Sequence, residues 1–182
     1  MWESAEFAGN SHITLEGGSQ TPLGSVATTD EFQFVLDIFW RGFGSGQSTQ
    51  VVVDSAFAKM WLAHDSDGQD RIRTLVYAGT SPVLASTVSV KPGVWYRVKW
   101  SSSSNAVLSV QARDLVTGWF DPSLASCGYK SMGTVDILAA TAFRIGMPLS
   151  GSEPGFRGRV DNVNLFNYSF ETPEGCPLST QP

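Results

Sequence analysis

Histidine, cysteine and basic charge are all scarce in this sequence of 182 residues, and each shortage excludes something. His12 and His64 are the only histidines, and neither sits in a helical metal-protease motif. No G-x-S-x-G nucleophile elbow occurs. The 12 Lys and Arg residues are spread thinly, which leaves no electrostatic footprint for DNA or RNA. No apolar run approaches the length of a membrane-crossing helix, so no membrane insertion is expected. The opening M-W-E-S-A-E-F has acids where a secretory signal would have a basic and then an apolar region. The chain is therefore read either as a processed or excised domain, or as one made in the cytosol that reaches the outside within a larger particle. Repeats and low-complexity linkers are also missing.

What is present suits an all-β protein. Apolar residues make up 42% and charged residues 16%, with 18 glycines and abundant Ser, Thr and Val. The net charge of -5 is a solubility feature. The length is enough for one domain with a two-sheet core, read as residues 1–170, followed by a tail over 171–182 that holds three prolines.

Alternation marks the strands. Phe32, Phe34, Leu36, Ile38 and Trp40 alternate with Gln33, Val35, Asp37 and Phe39. Val94, Tyr96, Val98 and Trp100 alternate with Trp95, Arg97 and Lys99, and Ala106 to Arg113 is expected to pair back as a hairpin. Phe57 to Ala63 and Arg71 to Tyr77 form a second hairpin across His64 to Asp70. Val51 to Asp54 and Val83 to Val90 are shorter strands, the latter begun after Pro82. Leu115 to Thr134 is the longest irregular stretch. In F-R-G-R-V-D-N-V-N-L-F-N, residues 156–167, the apolar face slips from even to odd positions, which predicts an extra residue, a bulge or tight corner, near Asp161-Asn162.

This last segment resembles the final strand of laminin G-like domains of the concanavalin A-like lectin/glucanase superfamily. The opening A-E-F-A-G-N-S-H-I-T-L and the pair G-V-W-Y-R-V-K-W plus A-V-L-S-V-Q-A are similar to patterns of the same family, so the resemblance spans roughly Ala5 to Asn167. It implies a two-sheet antiparallel jelly-roll β-sandwich. The superfamily's glucanases carry carboxylates on alternate positions of one strand, E-x-D-x-(x)-E, because retaining chemistry needs an acid and a nucleophile close together. No strand here has that pattern and Asp37 stands alone on its strand, so a non-catalytic role is expected.

The candidate sites follow from residue type. In the irregular stretch Trp119, Phe120 and Asp121 are candidates for ligand binding, since sugars stack on exposed aromatic rings; an assembly contact or a tucked core aromatic are the other readings of Trp119. Trp61 and Trp95 are read as core packing or cover for a sheet face. Asp65, Asp67 and Asp70 in D-S-D-G-Q-D supply three carboxylates from one tight loop, either a Ca2+ site or a hairpin of good turn formers. Cys127 and Cys176 either bridge the tail to the long loop or stay separate thiols. Two functions stand. One is a recognition module for a glycan or a surface protein, at an extracellular or cell-surface location. The other is a structural or decoration subunit contacting neighbouring subunits of a larger assembly, such as a phage head or tail at the virion surface.

Overall fold

The computed structural model describes residues 4–16, 32–55, 58–78, 81–102, 105–113, 117–131 and 142–166. Among these residues there are twelve strands and no helix. In chain order they are β1 (Ala5–Ala8), β2 (Ile13–Glu16), β3 (Phe32–Trp40), β4 (Thr49–Ser55), β5 (Ala58–His64), β6 (Asp70–Ala78), β7 (Ser81–Ser89), β8 (Trp95–Ser102), β9 (Asn105–Arg113), β10 (Phe120–Ser131), β11 (Ala142–Ile145) and β12 (Arg157–Phe166). The first sheet has the order β1-β12-β3-β8-β9-β10 and the second β2-β11-β4-β5-β6-β7. Neighbouring strands in both sheets run antiparallel. The protein is an antiparallel jelly-roll β-sandwich.

The alternation of β3 and β8 decides which face is inside. Phe34, Leu36, Ile38 and Trp40 of β3 and Tyr96, Val98 and Trp100 of β8 are buried between the sheets. They meet Met60 and Leu62 of β5, Ile72 of β6 and Phe143 and Ile145 of β11 in one core. The ring of Phe34 lies 5.0 Å from that of Phe143, which ties the sheets at their centre. The other members of the β3 and β8 alternation, Asp37, Phe39, Trp95 and Arg97, consequently stand on the outer face of the first sheet.

Three features of the fold are not visible in the alternation alone. First, β1 and β2 flank one bend but do not pair; β1 joins β12 and β2 joins β11, so the bend carries the chain from one sheet to the other. Second, the expected irregular stretch 115–134 contains β10, paired with β9. Its register shifts between Phe120 and Ala125, and that bulge breaks the alternation by which a strand is recognised. Pro122 lies inside it and is tolerated because β10 is an edge strand. Third, β7 starts before Pro82, again at an edge. The slip expected at Asp161-Asn162 is present: β12 shifts register against β3 between Asp161 and Asn164, and Asn162 has φ 49°.

Candidate functional site

The outer face of the first sheet carries two rows of side chains in register across its strands. In one row Asp161 of β12 faces Asp37 of β3, which faces Arg97 of β8, which faces Gln111 of β9. In the adjacent row Phe39 faces Trp95, and Arg113 of β9 faces Phe120 of β10. A cleft of about 250 Å³ opens over these rows, lined by Asp37, Trp95, Arg97, Arg113, Gly118, Trp119, Phe120 and Asp161.

Its floor is a charge-balanced fork. Arg97 Nε and Nη2 donate to the two carboxylate oxygens of Asp37, each at 2.8 Å. Asp37 is only 7% exposed, so its carboxylate is largely shielded from water, while Arg97 is partly exposed. The carboxylate beside it holds the Arg97 pKa above its ordinary value. The guanidinium also lies 4.4 Å from the centre of the Phe120 ring, a cation–π contact that fixes its plane. Asn162 Nδ2 donates to Asp37 Oδ2 at 3.4 Å, and the Asn162 backbone N–H donates to Asp161 Oδ1 at 2.7 Å. The bulge, with its left-handed Asn162, is what places Asp161 and Asn162 at this edge of the cleft.

The walls are aromatic. Phe39 and Trp95 pack with ring centres 5.6 Å apart and planes tilted by 44°. Trp119, on the turn before β10, is 77% exposed, the most exposed large apolar side chain among the described residues. That turn is held by Arg113, whose Nε donates to Gly118 O at 2.7 Å. An aromatic wall above a floor of charged donors and acceptors can stack the apolar face of a polyhydroxylated ligand and hydrogen-bond its hydroxyls.

Trp119 and Phe120, singled out in the sequence, thus lie together in the cleft. Asp121 follows them in β10, and its side chain lies outside the described residues. Asp37, Trp95, Arg97 and Arg113 were not anticipated as site residues, and Asp161 was anticipated only as a candidate partner in a calcium site at the sandwich rim. Trp95 sits on the outer face, as a sheet-cover reading has it, and also lines the cleft. Trp61 is half-buried on the outer face of the second sheet, with Lys59 Nζ 5.9 Å from its ring centre.

The Asp65, Asp67 and Asp70 carboxylates do not converge on one point; Asp65 and Asp67 meet guanidinium groups and Asp70 meets the His64 ring. Asp65 pairs with Arg71 and Arg73, Asp67 with Arg71 at 2.6 Å, and Asp70 Oδ1 with His64 Nδ1 at 2.6 Å. Hydrogen bonds from Arg73 and Arg71 hold the Asp65 carboxyl below the usual carboxylate range, and Arg71 does the same for Asp67. Among the described residues no group of three His, Cys, Asp or Glu side chains could hold a metal ion. Cys127 is exposed on β10 and disulfide-bonded; Cys176 and the tail 171–182 lie outside the described residues.

No family model and no curated protein matches the chain. Solved structures do. A CBM40 domain of a Ruminococcus gnavus sialidase, bound to α2,3-sialyllactose, has a TM-score of 0.62 at 11% identity, covering 93% of this chain and 92% of that one. A pentraxin from Limulus polyphemus has a TM-score of 0.54 at 15% identity, covering 91% and 76%. The enzymatically active domain of bacteriophage CBA120 tailspike protein 2 has a TM-score of 0.59 at 10% identity; this chain, 94% covered, spans 30% of its length. What they share with this protein is the fold. It is a two-sheet jelly roll.

Proposed function

We propose that the protein is a non-catalytic recognition module of laminin G-like type that binds a glycan in the cleft on the outer face of the first sheet. The observation that carries the reading is Trp119, exposed on a braced turn beside a fixed polar floor. The CBM40 neighbour, complexed with a sialylated sugar on the same fold, supports a sugar as the ligand class. Catalysis is disfavoured because both Asp37 oxygens are engaged by Arg97 and neither is left facing a glycosidic oxygen. The same exposed tryptophan also suits the second reading, a structural subunit whose Trp119 is covered by a neighbouring chain of an assembly at a virion surface.

Trp119→Ala, assayed for melting, glycan-array binding and solution mass, separates the two. On the glycan reading the variant loses array binding, keeps its mass, and changes stability by less than about 0.5 kcal/mol, as surface substitutions do. A blank array for the wild type, with an oligomer that Trp119→Ala dissociates, would favour the assembly subunit instead.

A further inference from the structure

We infer that the cleft selects glycans bearing a negative charge, a carboxylate or a sulfate ester, and that Arg113 reads this charge. The inference rests on the cleft being a glycan site. Two guanidinium groups line the cleft, and they are not equivalent. Arg97 is neutralised by the bidentate Asp37 and stacked on Phe120. Arg113 makes no ion pair among the described residues. Its one hydrogen bond there, Nε to Gly118 O, orients the group and leaves both terminal nitrogens without an acceptor among the described residues. A planar guanidinium held in this way matches the paired oxygens of a carboxylate or sulfate.

The opposite end of the cleft has the opposite character. Asp161 makes no ion pair among the described residues, and its Oδ1 is taken by the Asn162 N–H. Two strands, β3 and β8, separate β12 from β9. The backbones carrying Asp161 and Arg113 are therefore about 14 Å apart at the usual interstrand spacing. An anionic substituent near Asp161 would meet a like charge. Near Arg113 it meets an unmatched cation beside Trp119 and Phe120. The cleft is polarised, and the ligand lies with its charged group at the Arg113 end and its hydroxyls toward Asp161. Because the chain as a whole carries -5, the attraction is local, and added salt should screen it.

The test is calorimetric titration with three oligosaccharides of one backbone, the first neutral, the second carboxylated and the third sulfated. The proteins are the wild type, Arg113→Gln, Arg113→Lys and Trp119→Ala. The wild type should bind a charged sugar about tenfold tighter than the neutral one, the factor expected of one charge-assisted hydrogen-bond pair. The carboxylated and sulfated arms tell which anion is preferred. Salt should shrink the ratio, Arg113→Gln should bring it near one, and Arg113→Lys should restore part of it. Equal affinity of the wild type for all three sugars, or a preference that survives Arg113→Gln, overturns the inference. If that equal binding is abolished by Trp119→Ala, the glycan reading stands without charge selection. If no sugar binds, both fall.

Discussion

Asp37 faces Asp161 across β3 and β12, a juxtaposition of like charges that a sheet resists. The first sheet accepts it because Arg97 and Asn162 supply compensating donors. Removing Arg97 should therefore be costly out of proportion to its partial exposure, since it leaves a carboxylate 10% exposed without its counterion. We expect Arg97→Ala to lose roughly 3 kcal/mol in urea denaturation. Adding Asp37→Asn should recover part of that loss, and a double-mutant cycle measures the coupling. Additive effects would show that the pair is not a unit. At this scale the sequence was partly legible. Trp119 stood out as a tryptophan in the longest irregular stretch, although its sequence left sugar stacking, an assembly contact and a tucked ring all open. Asp37 looked solitary because its partner, Arg97, lies 60 residues away on a strand whose neighbour the alternation does not name.

Among elements, the loop from Gly146 to Phe156 holds the sandwich at one end. Gly146 N–H donates to Val52 O and Phe156 N–H to Gly146 O, both at 2.8 Å, and Val51 N–H donates to Pro154 O at 2.8 Å. Gly146 has φ 95°, and a Cβ there would sit 2.4 Å from the Phe7 ring. Gly146→Ala should thus combine backbone strain with overpacking and cost about 1–3 kcal/mol, read as a lowered melting temperature. The β5–β6 hairpin makes a different prediction. Asp65 and Asp67 have carboxyl pKa values lowered by Arg73 and Arg71. The stability they contribute is present above the unfolded value of about 3.9 and is lost as pH falls through the lower folded values. Asp54 has the opposite sign. Burial raises its pKa despite the Leu149 N–H bonded to it at 2.8 Å, so stability falls as pH rises through its folded value. Asp54→Asn should gain on the wild type as pH rises from about 4 toward neutrality. Melts in calcium and in chelator should superimpose, because Asp65 and Asp67 already face guanidinium groups and Asp70 the His64 ring; a calcium-raised melting temperature would restore a metal to the loop. The hairpin itself was legible from its turn residues and flanking alternation. β10 was not, because its bulge and Pro122 imitate a loop.

For the molecule as a whole, the apolar alternation of β3, β8 and β12 encodes a two-sheet core, and the phase slip in β12 even marks the bulge that shapes the cleft. The cleft cannot be read in the same way. Its residues come from β3, β8, β9, β10 with the turn before it, and β12, and only the strand order β12-β3-β8-β9-β10 brings them to one face. The six tryptophans of the chain offer a direct test of where a ligand lands. Trp119 and Trp95 line the cleft, Trp40 and Trp100 are fully buried in the core, and Trp61 stands on the other sheet. The measurement is a titration of the assigned indole N–H resonances with the oligosaccharides described above. The account predicts that the Trp119 and Trp95 signals shift in step with binding while those of Trp40, Trp100 and Trp61 stay in place. Movement centred on Trp61, or saturation with no change at Trp119, would contradict it.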